Sequence, residues 1–222
     1  MSKQTIGILM LNTSFPRLPG DIGNAASFRY PTLYRTISAA VPANIVTATQ
    51  LPAGLADAFT HEALELQQCG ATVVTTSCGF LSVIQAALAN RLPVPVITSS
   101  LTLLPWLCSL YGSSANIGVL TFDADKLGNR HLPADAQDVA IEGLLPDDTL
   151  RHCISTDSGQ LDRACAEAEV LACADRLLAT RKVPALVLEC TNMAPYKHAL
   201  REHTGCAVFD LVDAVHWVMD AK

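Results

Sequence analysis

The sequence predicts an α/β fold of two similar parallel-sheet domains related by an internal pseudo-repeat, with the active site in the cleft between them. Three observations carry that expectation. Strand-like and helix-like segments alternate along the chain, the pattern of a parallel sheet covered by helices on both faces. Half of the 222 residues are apolar, yet only 5% are aromatic, which suits an alanine-, valine- and leucine-rich α/β protein. The second half also repeats the first. Ile6-Gly7-Ile8-Leu9 recurs as Ile117-Gly118-Val119-Leu120 at an offset of 111, and Cys78 recurs as Cys190 at an offset of 112. At the latter spacing Ala87-Leu88 falls on Ala199-Leu200, and Val96-Ile97-Thr98 falls on Val208-Phe209-Asp210. A near-constant offset of about half the chain marks a duplicated unit.

The elements follow in order. The apolar run from Ile6 to Leu11, ended by Asn12-Thr13-Ser14, predicts a first strand over 5–12 rather than a signal peptide. A helix is expected near 30–40, a strand near 44–48, a helix over 55–69, a strand over 71–77, a helix over 79–90 and a strand over 94–98. The second half predicts strands near 116–122, 138–143, 184–189 and 207–211, separated by helices near 123–131, 158–180 and 195–203. Residues 132–138 and 145–150 read as surface connections. The expected division is 1–98 plus 207–222 for the domain carrying Cys78, and 99–206 for the domain carrying Cys190.

Composition narrows the function. A sequence pI near 5.4 and a net charge of −6 give no footprint for nucleic acid, and no lysine-arginine run addresses a membrane surface. The uncharged stretch from Leu92 to Phe122 is divided by Pro93, Pro95 and Pro105 into pieces too short to span a bilayer. Eight cysteines without CxxC or Cys/His zinc spacing predict a reducing, cytoplasmic setting and no metal. "GDIGNA" lacks a Walker lysine and reads as an ordinary turn. The expected partners are a small-molecule carboxylate and a second copy of the chain.

Cys78 and Cys190 stand apart from the other thiols because each follows a strand-like run and precedes a helical pattern. In such sheets ligands bind beyond the carboxyl ends of the strands. Two similar halves facing each other would place one sulfur on each side of a small molecule. One thiolate would remove a proton while the opposed thiol delivers one to the other face. The turn amides would lower the thiol pKa values. Gly79-Phe80 and Thr191-Asn192 would offer backbone N–H groups to a carboxylate, with the hydroxyls of Thr76, Ser77, Thr121 and Thr191 as further donors. Asn12, at the end of the first strand, is expected to face the same cleft, and the loop that follows is expected to be a lid carrying Arg17. Cys165, on a helical face with Leu161, Ala168 and Ala172, is assigned to the core. Cys69, Cys108, Cys153, Cys173 and Cys206 are left structural.

The paired cysteines, the half-length repeat, "LNTSFPRLPGDIGNAASF", "TTSCGF" and "LECTNM" together resemble the aspartate/glutamate/hydantoin racemase superfamily. The resemblance covers essentially the whole chain. It implies two flavodoxin-like domains, two-cysteine proton transfer by Cys78 and Cys190 without a cofactor, and a homodimer. It also implies a racemase or epimerase acting on an amino acid such as aspartate or glutamate, or on a hydantoin-type derivative. A maleate-type cis-trans isomerase and an arylmalonate-type decarboxylase are the alternatives within the superfamily, and a non-catalytic clamp or dithiol redox switch is the alternative outside it. Glutamate racemases carry Asn-Thr after the first cysteine, Cys-Thr-His at the second and an Asp-Ser start. Gly79-Phe80, Asn192 and "LNTSFPRLPGD" depart from these, so glutamate itself does not follow from the resemblance.

Overall fold

The computed structural model describes residues 4–221. The first half runs through β1 (Ile6–Leu11), β2 (Thr32–Ile37), α1 (Pro42–Ile45), α2 (Leu55–Gln68), β3 (Val73–Thr76), α3 (Gln85–Ala89), β4 (Val96–Ile97) and α4 (Leu104–Tyr111). The second half runs through β5 (Ile117–Thr121), β6 (Ala140–Gly143), α5 (Thr149–Thr156), α6 (Arg163–Thr180), β7 (Ala185–Leu188), α7 (Lys197–Thr204), β8 (Ala207–Phe209) and α8 (Leu211–Asp220). Two four-stranded sheets result, ordered β2-β1-β3-β4 and β6-β5-β7-β8, and every pairing is parallel. The matching strand order is the structural form of the sequence repeat. No helix among the described residues is long and apolar enough to cross a membrane.

The repeated glycines have a packing reason. A Cβ at Gly7 would lie 2.9 Å from the Ala71 Cβ and 3.2 Å from the Leu66 Cβ. One at Gly118 would lie 2.8 Å from a Leu186 methyl and 2.9 Å from a Leu177 methyl. Each first strand therefore needs a bare Cα where a long helix crosses it. Those helices bury single stripes, Leu55, Phe59, Ala63 and Leu66 in α2 and Ala166, Val170, Cys173, Ala174 and Leu177 in α6. The α6 stripe overturns one expectation: Cys165 is exposed, and Cys173 faces the core in its place.

Other expectations are corrected as well. Residues 30–40 hold the edge strand β2, because Thr32 to Ile37 find the backbone partners of β1 in register. Residues 44–48 hold no strand. Pro42 at the first helical position starts α1 instead. The helix expected over 123–131 is a run of turns in which Lys126 and Leu127 both donate to the Asp123 carbonyl. The helix expected over 158–180 begins only at Arg163, where the Asp162 side chain caps the Ala164 and Cys165 amides. Before it, α5 occupies part of the expected loop and ends at Asp157, the one non-glycine residue with positive φ among those described.

At the C-terminus the chain changes layers. Strand β8 pairs with β7 in the second sheet, whereas α8 lays Leu211, Val212, Val215 and Met219 against Ile6, Ile8, Val73 and Ile97 of the first. The crossover comes at Asp210, which caps α8 in a reciprocal box with Asp213 and pairs with Lys197 Nζ at 2.7 Å.

Substituting Gly7→Ala is expected to destabilise the fold by about 1–3 kcal/mol, since added volume in a packed core forces neighbours off their rotamers. A lowered urea midpoint at unchanged slope is the measurement.

Candidate active site

Both cysteines occupy the same place in their halves. Ser77 donates its amide to the Leu9 carbonyl, and Glu189 donates its amide to the Leu120 carbonyl. The next residue is the cysteine, and a tight 3-10 turn follows each, Gly79–Ile84 and Thr191–Tyr196. The turns meet across the domain boundary. Thr191 Oγ1 donates to the Ser77 carbonyl at 2.9 Å, and Gly79 lies so close to Glu189 that a side-chain methyl there would overlap its carbonyl and carboxyl oxygens.

Between the turns lies a cavity of about 30 Å³ lined by Cys78 and Cys190, with Arg17, Phe15, Phe80 and Phe122 among its other walls. At the roughly 15 Å³ that one water requires, the volume admits about two waters. The space beside the two cysteines is narrow.

One wall is the loop after β1, which supplies Phe15 and Arg17. The Ser14 amide and hydroxyl reach the Asp157 carboxylate at 2.6 and 2.8 Å, and the Phe15 amide reaches it at 2.9 Å. A first-domain loop is thus pinned to the end of α5. Further along, Arg17 stacks over the Phe15 ring at 4.2 Å and pairs with Asp21 at 3.2 Å. Asp21 in turn accepts from Asn192 Nδ2 at 2.6 Å. The lid's cation is so connected, through one carboxylate, to the residue two places after Cys190.

Not every expected site residue reaches the cavity. Ser77, Gly79, Phe80, Thr191, Asn192 and Arg17 line it. Asn12 does not: it is exposed and its amide donates to the Ser38 carbonyl at 3.1 Å. The Thr76 hydroxyl is spent on the Thr98 carbonyl at 2.6 Å, and the Thr121 hydroxyl donates to Glu189 Oε2 at 2.5 Å. Asp21 and Glu189 carried no sequence signal. One sits in a turn-rich loop, and the other reads as one more acidic residue until the fold buries it.

The electrostatics correct a further expectation. Burial pushes the Cys78 thiol up to about 12, the Glu189 charge adds to this, and the Phe80 amide and Arg17 only partly offset it. Cys190 is also held well above its ordinary value, first by burial and then by Glu189, against the Asn192 amide. The turn amides favour the thiolate as expected, but desolvation outweighs them. Both thiols are therefore held in the protonated form at neutral pH.

No protein-family model matches the chain. Among curated proteins it is similar to a dimethylsulfoniopropionate lyase of Durusdinium sp. clade D, 26% identical over 217 residues that make up 94% of this chain and 71% of that protein. It is also similar to dimethylsulfoniopropionate lyase 6 of Emiliania huxleyi (strain CCMP1516), 23% identical over 94% of this chain. The chain spans 57% of that second relative's length. Among solved structures, unliganded arylmalonate decarboxylase superposes with a TM-score of 0.61 at 15% identity, covering 98% of this chain and 92% of its own. Allantoin racemase from Klebsiella pneumoniae superposes at 0.61 with 16% identity over 98% and 86% of the two chains. An aspartate racemase homologue from Pyrococcus horikoshii OT3 gives 0.60 at 12% identity over 100% and 99%. The chain shares the two-sheet α/β fold of these solved structures over nearly its whole length.

Burial opposes the charge on Asp157, but the Ser14 and Phe15 amides and the Ser14 hydroxyl outweigh it and hold the group below the usual carboxylate range. Its contribution to the pinned loop is thus complete above about pH 4, the value of an unperturbed aspartate, and is lost as pH falls through the depressed folded-state value. Asp157→Ala is expected to speed hydrogen exchange at Ser14 and Phe15 at least about tenfold at neutral pH, from the ~1.5 kcal/mol or more of a hydrogen bond to a charged group. Exchange mass spectrometry of the loop is the check.

Proposed function

We propose that this chain is a cofactor-independent enzyme that removes the proton α to a carboxylate with one of two opposed cysteine thiols. We further propose that its substrate is a small β-sulfonium carboxylate of the dimethylsulfoniopropionate type, cleaved by β-elimination. The observation that carries the chemistry is the presence of Cys78 and Cys190, at equivalent strand ends, in the wall of one cavity. The similarity to lyases of that substrate over 94% of the chain supports the elimination.

The lining suits a cation that carries apolar substituents, with Leu11, Phe15, Val46, Phe80, Phe122 and Ile154 as apolar walls and Glu189 as a carboxylate. A dimethylsulfonium brings methyl groups and a charge that aromatic faces attract. Arg17, in the cavity wall and paired with Asp21, would receive the carboxylate by exchanging that partner for it.

In the step proposed, a cysteine thiolate takes the α-proton and becomes a thiol. The C–H electron pair forms the α,β double bond, and the Cβ–S bond breaks with its pair returning to sulfur. The products are acrylate and neutral dimethyl sulfide, and the thiol returns its proton to solvent. Elimination requires only one thiol. The presence of both favours, as a second reading, the racemase or epimerase expected from the sequence, in which the opposite thiol reprotonates the carbon. A homodimer and a cytoplasmic location belong to the same proposal, the latter supported by eight free cysteines.

Proton NMR in heavy water with dimethylsulfoniopropionate, and separately with an amino-acid and hydantoin panel, decides between the readings. Acrylate formation that falls at least about a hundredfold when the base is removed, as Cys78→Ala or Cys190→Ala, is the expected result. Deuterium at an inverted α-carbon without acrylate would instead establish racemisation, and neither outcome with any compound would overturn both. Because the thiols lie above neutrality, kcat/KM is expected to rise with pH, close to tenfold per unit between about 7 and 9, as the thiolate fraction grows.

A further inference from the structure

Glu189 has no part in the reaction as written, yet its placement is unusual for a carboxylate. It is 1% exposed and lies between β7 and Cys190. Its Oε2 accepts from the Thr121 hydroxyl, and the Phe122 amide also donates to the carboxylate. Oε1 is buried without a partner among the described residues, against Gly79 and in the cavity wall. An unmet buried polar atom is destabilising, and more so when charged.

The pseudo-repeat shows that the architecture does not require this charge. Ser77 is the equivalent of Glu189, and its hydroxyl accepts from the Leu11 amide at 2.9 Å, as Glu189 accepts from the amide of Phe122, the equivalent of Leu11. A neutral hydroxyl therefore completes the first half, and only the second half carries a carboxylate. The ionisable groups arranged around it are Cys78, Cys190, Asp21 and Arg17. Three are acidic, and the Arg17 guanidinium is committed to Asp21 and Thr13. Among the described residues no cation pairs with Oε1.

We propose that Glu189 Oε1 receives the cationic end of the substrate, and that this pairing is what lets the neighbouring thiol ionise. The cationic substrate class rests on the function proposed above; the coupling between Glu189 and the thiols does not. Burial pushes Glu189 up to about 7, against the Thr121 and Phe122 hydrogen bonds, so near neutrality its charge depends on what lies beside it. Ionised and unpaired, it opposes a thiolate at either cysteine. A cation seated on Oε1 cancels that opposition. With Glu189 unpaired the thiols stay protonated, and a cation on Oε1 makes one of them a base.

The test follows iodoacetamide alkylation of Cys190 by peptide mass spectrometry from about pH 6 to 10 in the parent and in Glu189→Gln, which retains an acceptor for Thr121 and loses the charge. Alkylation about tenfold faster in the variant at neutral to mildly alkaline pH is expected, as for removal of a nearby like charge. Equal or slower alkylation overturns the coupling. Protection is then titrated with β-alanine betaine and with its uncharged isostere, in which a quaternary carbon replaces the nitrogen. The parent is expected to be protected at a concentration at least about tenfold lower by the betaine, and Glu189→Gln by both alike. Equal protection of the parent by the two ligands overturns the cation pairing while leaving a carboxylate site standing. Protection by neither overturns the pairing together with the proposed substrate class.

Discussion

The site depends on the contact between two turns. Thr191 Oγ1 bonded to the Ser77 carbonyl and Gly79 laid against Glu189 bring the end of β3 and the end of β7 together. A third tie, Ser100 Oγ donating to the Leu188 carbonyl at 2.7 Å, joins the same two layers from the side. All three are buried, where a hydrogen bond is protected from competing water and its loss leaves an unmet group. The spacing of the two sulfurs is accordingly set by backbone contacts rather than by a flexible linker. Preorganisation of this kind is what two-sided proton transfer requires, since a small error in either position removes one face from reach.

Such closeness has an electrostatic consequence. Two thiols, Glu189 and Asp21 crowd one desolvated space, and Arg17 is the cation that faces them. Burial raises every one of the acidic groups, so a second negative charge is far more costly than the first. An ionised Glu189 opposes a thiolate at either cysteine, so their titrations are linked.

Much of this was legible in the sequence because the signals were local and repeated. Central strands β1, β3, β5 and β7 are apolar runs buried on both faces, and their duplicates reinforced one another. Cys78 and Cys190 stood out by position in the same way. What failed depended on partners distant in sequence. The edge strand β2 has mixed exposure and is a strand because β1 offers it a free edge. Cys165 and Cys173 lie on one helix, and periodicity alone did not say which face met the sheet. Asn12 ends its strand as expected, but its side chain satisfies the Ser38 carbonyl and so points away from the cleft. The thiol pKa shifts were misjudged for a related reason: turn amides can be read from a strand-turn-helix pattern, whereas desolvation is a property of everything packed around it.

The two halves share a backbone and differ in chemistry, and the differences lie where the cavity is. Gly79 corresponds to Thr191, Phe80 to Asn192 and Ser77 to Glu189. The first turn contributes absence of bulk and an aromatic wall. The second contributes the hydroxyl that ties the turns, the amide that holds Asp21 and the carboxylate between the sulfurs. Each addition on one side meets a space or a neutral group on the other: Glu189 fits because Gly79 has no side chain, and Thr191 finds its acceptor because the Ser77 carbonyl is free of other duties. A symmetric pair of glutamates would put two buried carboxylates in contact, and a symmetric pair of glycines would leave nothing to set the charge beside the thiols. The repeat places a cysteine at the same point of each half, and the differences between the halves make the charges beside the two cysteines unequal.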